Sequence, residues 1–194
     1  MECFKYLYNQ FVEAINSWNV DKIRAVSVMV YSNECYVYRG VKNFFEVSIG
    51  YIPCFGDSDV LDTDALIDRE EVSVVVDPYE KEDIGAAKVW DWLHSIKVEN
   101  IGFEDETQMY DDDLNYIGKG PNGYFELLML VSDVMREIQS NGIVSQRFDK
   151  TPVIVHELNS AWYIEGATRN ANPNGEADEF LDYLTNFFQY CKEL

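Results

Sequence analysis

The sequence contains few of the residues from which metal and nucleophilic sites are built. Two histidines are too few for a site with three histidine ligands, and we expect no two-histidine site either, because His156 is predicted to be a sheet residue. Four cysteines are widely spaced without a C-x-x-C pair, which argues against zinc or redox chemistry and against a secreted disulfide framework. We therefore expect no metal, no cofactor, and thiols that are buried or idle. The residues concerned are His94, His156, Cys3, Cys35, Cys54 and Cys191.

Long apolar stretches are also missing. No segment approaches the ~18 apolar residues that a membrane helix needs. The first residues, Met1 to Lys5, show neither the basic region nor the apolar run of a signal peptide. We expect a cytoplasmic protein that does not bind membranes.

Basic residues are scarce relative to acidic ones. The 194 residues include 35 Asp and Glu but only 15 Lys and Arg, which gives a formal net charge of −20. Such a chain repels phosphate groups and attracts basic partners, so nucleic acid binding is disfavoured. The hydrophobic content of 47% is nevertheless far from that of a disordered chain. We expect one folded domain over residues 1–194.

The sequence contains parts of several catalytic and ligand-binding motifs, but each lacks a required residue. His156-Glu157 begins as the zinc motif H-E-x-x-H does, but Ser160 occupies the position of the second histidine. The glycines from Gly118 to Gly123 lack the order of a P-loop, and an EF-hand count from Asp57 finds no glycine at the sixth position. No Gly-x-Ser-x-Gly elbow occurs. The sequence therefore predicts a protein that is not an enzyme.

Hydrophobic periodicity predicts an α+β fold. Helical spacing covers residues 2–18, 81–97 and 121–141 and a last helix, for which Asn172 and Pro173 are predicted to be the cap and first turn. Strand patterns cover 23–31, 35–39, 45–51 and 72–76, and a hairpin is predicted from 152–158 and 161–165. We expect a single domain with an antiparallel sheet of about five or six strands and packed helices, and a long loop over 99–119.

The strand over 23–31 is apolar on nearly both sides, which is typical of a central strand. Alternation places Val26, Val28 and Val30 on one of its faces, and Ile23, Ala25 and Met29 on the other.

Most of the negative charge lies in one segment, residues 57–113. It holds 19 acidic and four basic residues, a formal charge of −15. The densest part is a run that we call the acidic run, residues 104–113, with six acids around a single tyrosine. Charge runs are usually solvated faces, but this one is internal to the chain and concentrated. It indicates a surface that binds a basic partner.

Two aromatic residues accompany these acids. Tyr110 lies within the acidic run, and Trp92 is two residues beyond Trp90, so it points about 200° away from the predicted apolar stripe of its helix. Protein interfaces use aromatic side chains for buried contact area and charged ones for steering and register. The predicted partner-binding residues are Glu104, Asp105, Glu106, Tyr110, Asp111, Asp112, Asp113 and Trp92.

The small single domain and its acidic bias resemble bacterial immunity proteins of polymorphic toxin systems. The C-terminal part, Thr151–Leu158, Ala161–Glu165 and Asn172-Pro173 with the closing helix, also loosely resembles a bacterial family of unknown function. These resemblances imply an α+β domain that neutralises a basic toxin, for example a nuclease, by occluding its active site. The alternatives are an uncharacterised bacterial enzyme and a general interaction module without catalytic activity.

Overall fold

The computed structural model describes residues 2–32, 35–54, 61, 68–104, 120–157 and 161–192, with only the main chain at 161–164 and 187–192. Within these ranges it has six helices and four strands. The helices are α1 (Glu2–Ser17), α2 (Ile84–Ser95), α3 (Tyr124–Ser140), α4 (Ser145–Phe148), α5 (Ala161–Ala171) and α6 (Asp178–Lys192). The strands are β1 (Ile23–Ser32), β2 (Phe45–Pro53), β3 (Glu70–Val76) and β4 (Val153–His156).

The strands form one mixed sheet in the order β3-β2-β1-β4. β2 pairs antiparallel with both β1 and β3, whereas β4 pairs parallel with β1. A parallel neighbour requires a long crossover, and the described part of the chain between β1 and β4 contains two more strands and three helices. β1 has a neighbour on each side, which confirms its predicted central position.

Helices α1, α2 and α3 pack into the larger core with one face of the sheet. The predicted face of Val26, Val28 and Val30 belongs to this core, and all the apolar positions predicted for α3 are buried. Burying one such side chain stabilises the fold by roughly 1.5–3 kcal/mol, so the apolar stripes hold these helices in place. The stripe residues of α3 are Tyr124, Leu127, Leu128, Val131, Val134, Met135 and Ile138.

Helix α6 covers part of the other face. Phe180, Leu181 and Leu184 pack there in a second, smaller cluster that includes Ala25 of β1. Ile23 was predicted to share the face of Ala25, but it lies in the larger core. The pairing of β1 with β2 shifts register between these two residues, and such an irregularity reverses the alternation of side chains.

Helix α5 covers the outer edge of β4. Thr168 Oγ1 accepts a hydrogen bond from Val155 N (3.1 Å) and donates one to Val155 O (3.2 Å). Asn172, just after the helix, accepts from Val153 N (2.9 Å) and donates to Val153 O (2.7 Å). Two side chains four residues apart thus form the hydrogen bonds that the main-chain groups of this edge would otherwise form with a further strand.

The structure confirms the α+β class but corrects the sheet, which is mixed and has four strands in the described part. The predicted strand at 35–39 is wrong because Arg39 takes a φ of 50° and the chain reverses there. The predicted hairpin is wrong because residues 161–165 belong to α5. Asn172 bonds to β4 and does not cap the last helix, which begins at Asp178.

Candidate partner-binding surface

The residues before and after the segment 105–119 meet in a short pairing that we call the stem, residues 100–104 and 120–123. Asn122 N donates to Phe103 O (3.1 Å), and Asn122 O accepts from Gly102 N (3.0 Å). The Asn122 side-chain amide donates to Asn100 O (3.2 Å). Glu104 is exposed at the outer end of the stem. Glu104 and Gly120, the described residues on either side of the segment 105–119, therefore lie at one place on the fold.

The end of α2 sets the direction of the stem. Val98 N donates to Leu93 O (3.0 Å), which is one of the two hydrogen bonds of a Schellman motif. Lys97 occupies the left-handed position of this motif with a φ of 65°, where glycine is usual. Gly102 also has a left-handed φ, 75°, and a Cβ there would lie 2.1 Å from Lys42 O. Only glycine allows the stem to approach the chain at Lys42 so closely.

That neighbouring chain is a tight turn that we call the tip, residues 37–43. Tyr38 and Val41 exchange two main-chain hydrogen bonds of 3.0 and 2.9 Å. The two residues between them, Arg39 and a glycine, have φ values of 50° and 85°, as a type I′ turn requires. The Asn43 side-chain amide donates to Gly102 O (3.2 Å), which joins the tip to the stem.

The tip also contacts α2 through an aromatic group. The Arg39 guanidinium lies 5.1 Å from the ring centroid of Tyr38 and 5.6 Å from that of Trp90. The Trp90 ring in turn packs on the exposed ring of His94, with 4.6 Å between centroids. Trp90, predicted to belong to the buried stripe of its helix, is half-buried beneath Arg39. Phe103 of the stem is 59% exposed.

Trp92, the predicted anchor, lies elsewhere on α2. It is beside Lys88 and Ser95, as the helical wheel predicts, and it lines a shallow depression against the start of α1. It is half-buried and packs against the larger core. The two-residue step from Trp90 turns it away from the tip. The structure therefore does not group Trp92 with Trp90.

Of the predicted acidic residues, the structure describes Glu104 alone. The other predicted residues of the acidic run lie outside the described ranges, and their role stays a prediction. They are Asp105, Glu106, Tyr110, Asp111, Asp112 and Asp113.

Glu157, the residue after β4, lies near enough to Glu104 for their charges to interact. Burial raises the pKa of Glu157 to about 7, a hydrogen bond with Tyr124 opposes that shift, and the charge of Glu104 adds to it. The Tyr124 hydroxyl also donates to Val30 O (3.0 Å), which fixes its position. The negative charge near the base of the acidic run therefore varies with pH close to neutrality.

A buried polar network lies across β1, β2 and β4. Ser27 Oγ is 2.8 Å from His156 Nε2 and accepts from Arg69 Nε (2.9 Å). Arg69 also donates to Ser48 Oγ (2.8 Å) and to a Glu71 carboxylate oxygen (2.9 Å). Burial, and then the charge of Arg69, lower the pKa of His156 to about 4. The imidazole is thus neutral at pH 7, and Ser27 donates to its Nε2.

A serine beside a neutral histidine has the composition of a nucleophile with its general base. The surroundings do not favour that chemistry, because Ser27 has no solvent exposure and its oxygen already accepts from Arg69. The network satisfies polar groups inside the sheet, and we assign it a structural role.

Sequence reasoning missed both the tip and the network. The network left a signal in the serines that interrupt the apolar strands, Ser27 in β1 and Ser48 in β2. The signal for the tip is the Arg39-Gly40 pair, because glycine suits the second position of a two-residue turn. Its contact with Trp90 joins residues about fifty positions apart, which no local pattern reveals.

Within the described ranges, two kinds of feature are absent. No group of three or more His, Cys, Asp and Glu is placed to hold a metal ion. No helix there has the length and apolar character needed to cross a membrane. Comparisons with protein-family models, with curated proteins and with solved structures also gave no match for this chain.

Proposed function

We propose that this chain is an acidic binding protein that neutralises a basic protein toxin by occluding its active site. The observation that carries the proposal is the stem, which holds together the chain before and after residues 105–119, the segment that contains most of the acidic run. Hydrogen bonds from Gly102 and Asn122 hold the flanking residues together, and Glu104 is exposed beside them. The dense negative charge therefore belongs to a segment whose two neighbouring stretches are fixed beside each other on the fold.

The charge distribution supports a basic protein as the partner. Residues 57–113 carry −15 of the formal net charge of −20. Concentrated charge of this kind steers an oppositely charged partner over a distance set by salt screening, about 10 Å at 0.1 M ionic strength. Association between such partners reaches about 10⁸–10⁹ M⁻¹s⁻¹ at low salt.

A nuclease toxin fits the same charge pattern. The active-site cleft of a nuclease is built to accept phosphates, and a run of carboxylates presents a similar density of negative charge. Blocking the cleft would suffice for protection, so the binding protein needs no catalytic residue of its own. The resemblance to bacterial immunity proteins points to the same mode of action.

The test is co-expression with the product of the adjacent gene, followed by co-purification and by a growth or nuclease assay. We expect a complex that protects the cell, and an association rate that falls about tenfold or more when the six acids of the acidic run become Asn and Gln. The matched control neutralises six exposed acids elsewhere, Glu13, Asp21, Glu137, Asp149, Glu179 and Asp182.

The control variant has the same net charge as the first, so it separates a local surface from a general effect of charge. An equal loss of association rate in both variants would favour the general interaction module. If the wild-type chain forms no complex at low salt and gives no protection, the proposed function is wrong.

A further inference from the structure

We infer that the surface around Tyr79, in the turn after β3, is a docking site for a protein that presents a Lys or Arg side chain. The inference rests on the proposed function for the basic character of the partner, and it assigns that partner a contact outside the acidic run. We call this surface the tyrosine patch. Its residues are Tyr31, Tyr36, Glu46, Glu71, Val74, Asp77 and Tyr79.

Three tyrosine rings lie in contact at the centre of the patch. The Tyr36 ring packs edge to face with that of Tyr31 (5.4 Å between centroids) and with that of Tyr79 (4.8 Å). Tyr36 is buried, whereas Tyr79 is 63% exposed. The main-chain N–H of Tyr79 donates to a carboxylate oxygen of Asp77 (2.9 Å), which holds the turn in place. A partner therefore covers an aromatic ring that is already positioned, at little cost in ordering.

A carboxylate group lies against these rings. Glu46 stands opposite Tyr31 in the pairing of β1 with β2, and its carboxylate accepts a hydrogen bond from the Tyr36 hydroxyl. Burial raises the pKa of Glu46, and the bond from Tyr36 opposes that shift. The charges of Glu71 and Asp77 raise it further. Glu46 therefore lies within electrostatic reach of two other carboxylates.

The base nearest to these carboxylates is already engaged. The charge of Arg69 acts on Glu46, but its guanidinium bonds to Glu71 (2.9 Å) and to the buried serines of β1 and β2. The wider segment 68–84 holds seven acidic and two basic residues, a formal charge of −5. Charge complementarity therefore selects a partner that brings a cation to this patch.

A cationic side chain suits both parts of the patch. The guanidinium of Arg or the ammonium of Lys is attracted to the face of a tyrosine ring, and it pairs with a carboxylate by charge-assisted hydrogen bonds. Tyrosine is also among the residues that contribute most to binding at protein interfaces. Tyr79 is thus the expected anchor, and Glu46 the group that receives the charge.

Exposed apolar side chains beside the patch favour a protein over a small cation. Val74 pairs with Ser48, which lies two residues from Glu46 and on the same face of β2. Val74 is 40% exposed, and Val72 of the same strand is 42% exposed. β3 is the outer strand of the sheet in the described part of the chain, so no neighbouring strand there covers them. A small cation would leave both valines in water, whereas a protein covers them.

Dissociation kinetics test the patch. The probe is the product of the adjacent gene in a catalytically inactive form, immobilised for surface plasmon resonance. We expect Tyr79→Ala to raise the dissociation rate about tenfold and to leave the association rate within twofold. Tyr79→Phe keeps the ring and should bind as the wild type does. Glu46→Gln keeps an acceptor for Tyr36 but removes the charge, and should raise the dissociation rate about fivefold.

Met129→Ala and Glu137→Gln are the matched controls, because both residues are exposed on α3. Tyr79 is largely exposed, so the thermal midpoint of Tyr79→Ala should stay close to that of the wild type. A photo-cross-linking phenylalanine at position 79, but not at 129, should couple to the probe.

Two failures of the test are distinct from a failure of the proposed function. If the wild-type chain binds, and Tyr79→Ala leaves the dissociation rate unchanged or has no more effect than Met129→Ala, docking at the patch is wrong while the proposed function stands. An unchanged dissociation rate in Glu46→Gln would overturn the cationic contact. If the wild-type chain does not bind the probe, both the docking site and the proposed function are wrong.

Discussion

At the end of β4, burial shifts the pKa values of two adjacent residues in the direction that favours their neutral forms. The pKa of His156 is lowered to about 4, and that of Glu157 is raised to about 7. A lowered histidine pKa contributes stability that is present above its unfolded value of 6.5 and is lost as the pH falls towards 4. A raised glutamate pKa contributes stability that is present below 4.5 and is lost as the pH rises through 7. Between pH 4.5 and pH 6.5, a rise in pH increases the histidine contribution to stability and decreases the glutamate contribution, so the two effects oppose each other.

Replacing Glu157 with Gln should reveal the glutamate contribution. Gln cannot ionise and keeps a group that can bond to Tyr124, so it removes the cost of a buried charge above pH 7. One pKa unit corresponds to about 1.4 kcal/mol, and after allowance for partial exposure we expect a gain of about 2 kcal/mol at pH 8 and almost none at pH 4.5. Urea unfolding of both proteins at each pH measures the difference.

Because the wild type and the variant are compared at the same pH, the contributions of other acids cancel. Glu137→Gln, at an exposed position on α3, serves as the control and should change stability little at either pH. A gain from Glu157→Gln that is the same at pH 4.5 and pH 8 would show that burial does not hold this carboxyl neutral.

At the level of elements, α5 replaces a further strand along the edge of β4. The Thr168 hydroxyl forms hydrogen bonds with the N–H and the C=O of Val155. Both residues are buried. We expect Thr168→Val to lower the free energy of unfolding by about 1–3 kcal/mol, because a buried N–H and C=O lose their partner. Chemical denaturation measures the loss, and Thr168→Ser should restore most of it.

The same substitution in a neighbouring helix is the control. Thr185 of α6 is exposed, and its hydroxyl donates to Leu181 O, one turn back in the same helix. Thr185→Val should therefore change stability by less than about 0.5 kcal/mol. Equal effects at positions 168 and 185 would mean that the Thr168 hydroxyl does not support the edge of β4.

Helices α1, α2 and α3 and the central strand were predictable because their apolar residues recur with a fixed period. The structure at the outer edge of β4 was not predictable, because the hydrogen-bond partners of this edge are two polar side chains, Thr168 and Asn172. Apolar and aromatic residues around 161–165 have strand-like composition, and the tertiary contact of α5 with β4 outweighs that local preference. For the same reason the sequence placed Trp90 in the buried stripe of its helix and did not reveal its contact with Arg39 of the tip.

At the scale of the whole molecule, a net charge of −20 on 194 residues opposes compactness. Screening by salt shortens the reach of this repulsion from about 30 Å at 0.01 M to about 10 Å at 0.1 M. We expect the thermal midpoint of the wild type to rise over this range of NaCl concentration, as followed by circular dichroism.

The two charge variants designed for the binding test show whether the repulsion comes mainly from the acidic run or from acids throughout the chain. Both have a formal net charge of −14, because each replaces six acids by neutral amides. Since repulsion grows as charges come closer, neutralising the acidic run should raise the midpoint at 0.01 M salt more than neutralising six scattered acids does. The advantage should shrink at high salt. Equal thermal midpoints of the two variants at low salt would mean that the acidic run adds no more repulsion than six scattered acids. The concentration of charge in the acidic run would then not destabilise the fold.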